Sequence, residues 1–171
     1  MPKIIENARN DILNTAKRHI TENGYSKTTM RSIAAACGIA VGTLYNYFPS
    51  KDMLIATFVS ESWLKSLEKI KNTYKPDAVE TVAVIYGELS AFCNSYKSLF
   101  TDGDAARAAA SMLMKNHKWL RRQLSELISP ALSVQGSDFT AEFIAESVIS
   151  WAKEGCDFEK LRPIVKKIVN A

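Results

Sequence analysis

Apolar side chains recur at three- and four-residue steps along nearly the whole chain. Ile5, Ala8, Ile12, Ala16 and Ile20 mark one face of a first helix. Gly24, in "ENGY", suits the left-handed position that ends a helix. Thr29 is placed to cap a second helix over "MRSIAAAC", with Ile33 and Cys37 four apart on its inner side. Gly38 ends that helix. A third, short helix is expected over about 41–48, with Val41, Leu44 and Phe48 turned inward. "PS" then breaks the chain, and Ser50 can cap a long fourth helix running from Lys51 to about Thr73. Its apolar positions are Leu54, Phe58, Trp63, Leu64, Leu67 and Ile70.

The helical period continues beyond the break at "KPD". A fifth helix is predicted over about 77–96, carrying Val82, Ile85, Leu89, Phe92 and Cys93. "SLFTDGD" reads as a loop, followed by two helical segments at about 104–114 and 117–130, ended by Pro130. "SVQGSD" is the clearest loop, and Asp138 can cap a helix over about 139–153. The last helix spans about 158–169, where Pro163 predicts a kink or a late start. No strand-like alternation survives between turn signals, and there is no internal repeat. The expected fold class is all-α.

The 171 residues are 47% apolar, enough for a real core, but no stretch reaches the roughly 20 apolar residues of a membrane span. The start becomes charged within a few residues, which does not suit a signal peptide. Cys37, Cys93 and Cys156 are scattered, odd in number and without CxxC spacing. That predicts reduced thiols and a cytoplasmic protein, with neither a disulfide framework nor a zinc site. Two isolated histidines, no phosphate-cradling glycine loop and no metal-ligand spacing argue against an enzyme, a cofactor or a metal.

Net charge is +4, and its distribution says more than its size. From Glu22 to Asp52 there is no intervening acid, while Lys27 and Arg31 fall inside that window and Lys51 closes it. Either this is chance, or a surface is kept clear of negative charge because it approaches a polyanion. The second and third helices, joined by a short turn at Gly38, have the layout of a helix-turn-helix, which alone is a weak signal. Three features strengthen it. Gly42 costs about 1 kcal/mol relative to Ala in a helix interior, so either close helix packing or backbone approach to DNA offsets it. Thr43, Tyr45, Asn46 and Tyr47 fill the outer face, where a methyl can meet thymine and hydroxyls can meet phosphates. Lys51 opens a helix, where the dipole disfavours a cation unless a phosphate sits against both. Thr29 and Arg31 lie at the start of the second helix, on the same side.

The stretch "GYSKTTMRSIAAACGIAVGTLYNYFPSKDML" resembles the DNA-binding domain of the TetR family. The shared pattern is Gly-aromatic, Thr-Thr, Ile-Ala, Ala-x-Gly, Gly-Thr-Leu-Tyr, Tyr-Phe and Lys-x-x-Leu, over about 4–58. Departures are His19, Cys37, Ser32 and, above all, Ala40, which stands where a capping Ser is usual and costs about 1 kcal/mol locally. The resemblance implies a DNA-binding domain at 1–52, with its helix-turn-helix at about 29–48, and a ligand-binding and dimerisation bundle at 53–171. It implies base or backbone contacts from Val41, Gly42, Thr43, Tyr45 and Tyr47, and phosphate contacts from Thr29, Arg31 and Lys51. The function it implies is a dimeric repressor, released from a palindromic operator on double-stranded DNA by a small apolar or amphipathic effector.

In the second domain the residues must speak for themselves. Trp63, Tyr86, Phe92, Cys93, Tyr96, Phe100, Met112 and Met114 suit an adaptable apolar pocket, and each suits an ordinary core equally well. Phe139, Phe143, Ile144, Val148 and Trp151, with Leu161, Ile164, Val165 and Ile168, form apolar stripes on the last two helices. Two such helices from each subunit would make a symmetric four-helix homodimer interface. "KNHKWLRRQL" is read as a solvated basic face and His117 as a surface histidine. Other readings remain: a constitutive repressor or DNA-organising protein without an effector, an enzyme, or a helical adaptor that binds protein through the third helix.

Overall fold

The computed structural model of the chain describes residues 7–73, 77–97, 99, 103–132 and 137–169, with backbone alone for 104–116 and 137. Among the described residues there are eight α-helices and no strand. They are α1 (Ala8–Asn23), α2 (Met30–Ala36), α3 (Val41–Tyr47), α4 (Lys51–Thr73), α5 (Ala78–Ser95), α6 (Gly103–Ile128), α7 (Ser137–Glu154) and α8 (Phe158–Val169). A single 3-10 turn, Ser129–Ala131, follows α6 at Pro130.

The chain divides into two compact units. The first holds the described residues up to Ser62 and those from Tyr96 to Met112; the second holds the rest. In the first unit, Ala8, Ile12, Ala16 and Ile20 of α1 are buried, as their spacing predicts, together with Ile33, Leu44, Phe48, Leu54 and Phe58. Ile5 lies outside the described residues. Val41 is not buried with Leu44 and Phe48: it is 36% exposed at the first position of α3, where no preceding turn of the helix covers it.

The second unit is built around Val82, Ile85, Tyr86 and Leu89 of α5, Leu124 and Ile128 of α6, Ile144 and Val148 of α7, and Leu161 and Val165 of α8. The later part of α4 adds Trp63, Leu67 and Ile70, but Leu64 is half exposed, one residue out of phase with that face. Arg162 of α8 donates to Glu80 of α5 at 2.7 Å and to Glu159 at 3.0 Å, tying these helices at their rim.

Two expectations change. The two segments predicted between 104 and 130 are one helix, α6, since "KNH" contains no residue that removes a backbone donor or demands another conformation. Pro163 does not delay α8, which starts at Phe158. It sits inside the helix, where it forgoes the bond to the Glu159 carbonyl and its ring crowds that carbonyl. Two loop expectations, "SLFTDGD" and "SVQGSD", fall mainly outside the described residues.

Candidate nucleic-acid interface

Helix α2 is fixed at both ends by local chemistry. Thr29 Oγ1 accepts from the Ser32 amide at 3.1 Å, and Ser32 Oγ accepts from the Thr29 amide at 3.0 Å. That reciprocal pair satisfies two orphan donors, with Ser32 filling the role that Glu or Gln takes in a capping box. At the other end Gly38, at φ 65°, lets its amide reach the Ala35 carbonyl (3.1 Å) while the Ile39 amide reaches Ala34 (3.0 Å). This double bond pattern needs the left-handed conformation that glycine adopts cheaply, and it sets the sharp turn into α3. Ala40 precedes α3 with no side-chain cap, as its methyl requires.

Helix α3 buries Leu44 completely and shows the rest of its surface to solvent. Gly42, Thr43 and Asn46 are exposed, as are Tyr45 (48%) and Tyr47 (44%). A Cβ built at Gly42 would meet nothing within 4 Å. The close helix packing that could have demanded glycine there is therefore absent. Thr29 and Arg31 are exposed at the start of α2. Of the eight residues expected at DNA, seven thus lie open on one helix-turn-helix.

Lys51 is differently placed. Its Nζ donates to the carbonyls of Tyr25 (3.0 Å) and Thr28 (3.1 Å) and lies 3.6 Å from the centre of the Tyr25 ring. The Tyr25 hydroxyl in turn donates to Asp52 Oδ1 at 2.5 Å. From the sequence, Asp52 only offsets in part the place of Lys51 at the helix start, and Tyr25 is not singled out as a partner. The only signal was an aromatic residue directly after the turn glycine.

The residues expected to line a pocket do not all gather in one unit. Trp63 is buried, donates Nε1–H to Gln123 Oε1 at 3.0 Å, and meets Phe92 edge-on at 5.3 Å. Tyr86 donates to the Cys156 carbonyl at 2.5 Å and lies against Phe158. Burial raises the Tyr86 phenol above its ordinary value; the nearby Ser90 opposes that rise, and the Cys156, Asp157 and Cys93 charges add to it. Among the described residues, none offers the buried Ser90 Oγ a hydrogen bond of good geometry. Burial likewise pushes the Cys93 thiol up, against the Lys153 charge. Tyr96 belongs to the first unit, where its hydroxyl donates to Ser62 Oγ at 2.6 Å and its ring packs on Phe58. Phe100 and the side chains of Met112 and Met114 lie outside the described residues.

The stripes expected at a dimer interface divide. Ile144, Val148, Leu161 and Val165 are buried in the second unit's own core, with Ile168 packed against it. Phe139 (80% exposed), Phe143 (53%), Trp151 (38%) and Ile164 (51%) face out. On α6, His117 Nε2 lies 2.9 Å from Glu146 Oε1, Arg121 is 3.5 Å from the same carboxylate, and Arg122 pairs with Glu126. Among the described residues no group of three acidic, cysteine or histidine side chains could hold a metal, and no helix is long and apolar enough to cross a membrane.

Residues 12–57 match the family model described as bacterial regulatory proteins, tetR family. The transcriptional regulator HbdR of Aromatoleum sp. (strain CIB) is 25% identical over 127 residues, 74% of this chain and 52% of that protein. The match thus spans about half of HbdR's length. The fatty acid metabolism regulator protein of Bacillus subtilis (strain 168) is 26% identical over 156 residues, 90% of this chain and 75% of that protein. Among solved structures, Salmonella enterica GusR shares the fold, with a TM-score of 0.66 at 21% identity over 95% of each chain.

Proposed function

We propose that this chain, whose residues 12–57 match the TetR-family model, is a cytoplasmic, dimeric transcriptional repressor of that family, released from a palindromic operator by a small effector. The observation that carries this reading is the bare outer surface of α3. Gly42 stands where no neighbour requires glycine, and Thr43, Tyr45 and Tyr47 surround it. Backbone approach into a major groove offers the gain that offsets this glycine. Tyr45 and Tyr47 reach phosphates through their hydroxyls while their rings lie on sugars, and Thr43 offers its methyl to thymine. Thr29 and Arg31 grip the flanking strand from the start of α2. No acid lies between Glu22 and Asp52 to repel the duplex.

A palindrome needs two reading heads. The outward apolar residues of α7 and α8, led by Phe139 and Phe143, support pairing with a second copy through a two-fold four-helix contact. Pairing would set the two α3 helices one helical turn of DNA apart, about 34–36 Å.

The effector reading rests on the second unit, where aromatic residues Trp63, Tyr86 and Phe92 and the thiol of Cys93 lie in or against the core. They suit an apolar or amphipathic molecule. A relative aligned over 90% of this chain is named a fatty acid metabolism regulator, and FadR from Bacillus subtilis, which shares the fold, is solved with stearoyl-CoA, so long-chain acyl-CoA is the first probe. The test is a gel-shift titration on a duplex selected by this protein from a random pool, at fixed salt, with and without acyl-CoAs of several lengths. Nanomolar selective binding weakened by one of them is the expected result. Absence of any selected sequence would overturn the DNA reading, and affinity unaffected by every amphipathic ligand would overturn release.

A further inference from the structure

Lys51 presents a cation at the first turn of α4, where the helix dipole opposes it. Its partners explain why it is there. The Tyr25 carbonyl already accepts from the Thr28 amide at 3.2 Å, closing the turn that joins α1 to α2. Lys51 Nζ bonds the first and last carbonyls of that same turn. Thr28, 1% exposed, further locks it by donating its hydroxyl to the Gly24 carbonyl at 2.8 Å. The Tyr25 ring underlies the ammonium, and Asp52, the next residue of α4, holds the Tyr25 hydroxyl. Two adjacent residues of α4 thus grip one turn at three points, through two carbonyls and a phenol.

The residue after that turn is Thr29, the N-cap of α2, and the glycine turn after α2 fixes α3. The orientation of the reading helix therefore depends on where the Tyr25–Thr28 turn is held. We propose that Lys51, with Tyr25 and Asp52, is a positioning residue that latches the α1–α2 turn to α4 and so sets the angle at which α3 meets DNA, rather than a phosphate ligand. The proposal rests on the DNA reading above, and its test separates the two.

Lys51→Met keeps the aliphatic stem on the Tyr25 ring and removes the carbonyl bonds. Lys51→Arg restores a donor fork that can reach the carbonyls. Tyr25→Phe keeps the ring and removes the bond to Asp52. Each is compared with the native chain at a temperature where far-ultraviolet dichroism shows it fully folded. Three quantities are read: affinity for the selected duplex relative to a scrambled one, the slope of log affinity against log salt, and amide exchange of the peptide covering 25–32 without DNA.

The latch predicts that Lys51→Met lowers the selectivity ratio at least tenfold, leaves the salt slope as in the native chain, and speeds exchange in that peptide. Tyr25→Phe moves the same quantities less, and Lys51→Arg restores selectivity. A lysine that merely stabilised the fold would leave selectivity untouched in fully folded protein. A slope smaller by about 0.9 with selectivity retained would make Lys51 a phosphate ligand and overturn the latch. Unchanged exchange would overturn it regardless of DNA. A native chain that selects no duplex would refute the DNA reading instead.

Discussion

Gly42 and Lys51 look alike as local misfits, a helix weakener and a cation at the wrong helix end, yet their surroundings give them opposite explanations. Around Gly42 there is open space, so nothing within the chain needs the missing Cβ. Around Lys51 there are two carbonyls and a ring, so the chain itself accounts for the charge. The two residues therefore separate in experiment. Gly42→Ala keeps the fold and raises its stability by up to about 1 kcal/mol, since alanine is the better helix former. The same methyl, pointing where DNA would approach, weakens operator binding by tenfold or more. Thermal melting and gel shift on one variant check both halves, and a variant that binds as well as the native chain would remove the case for backbone approach.

At the scale of elements, caps and burial decide. α2 has a complete capping box and α3 has none, the difference lying in Ser32 and Ala40. Ala40→Ser supplies the oxygen that the first amides of α3 lack and should stabilise the first unit by about 1 kcal/mol. Calorimetry would show this as a rise of a few degrees in its melting point. In the second unit, α5 carries two groups that burial keeps protonated, Cys93 and Tyr86. Their folded values lie above the ordinary 9.0 and 10.0, so the unfolded chain loses these protons first. The stability these two groups contribute is fully present below pH 9.0 and is lost as pH rises through the folded values of the thiol and then the phenol. Denaturant midpoints measured across that range should decline. Cys93→Ala should remove the earlier part of the decline, and midpoints that stay level in the native chain would contradict the burial of Tyr86 and the packing of Cys93 against the core.

For the whole molecule, assembly is the main question. Phe139, Phe143, Trp151 and Ile164 give α7 and α8 an outward apolar face beside the one they bury. Phe143→Arg should leave the core intact, because that side chain is half exposed. It should also turn the sedimenting species into a monomer and reduce binding to a full palindrome to the level of a half-site. A native chain that sediments as a monomer at high concentration would refute the two-headed reading.

The helical period and the turn residues were enough, from sequence alone, for most of the elements and for the family resemblance, though not for the unbroken length of α6. Ile12 and Ile20 repeat on one face of α1, Ile33 and Leu44 mark the buried sides of α2 and α3, and Gly38 leaves few options for the corner between those two helices. These are near-neighbour effects, written in spacings of three or four residues. What the sequence left open depended on partners far along the chain. It placed Phe139 and Ile144 in one apolar stripe, and only packing against α5 made one an outward face and the other core. It grouped Tyr96 with Tyr86, which the fold assigns to different units. Lys51 finds its partners 23 and 26 residues away, across a turn whose carbonyls carry no side-chain signature. Periodicity reports which side of a helix is apolar, whereas only the folded chain decides which neighbour, if any, covers that side and where a long cation comes to rest.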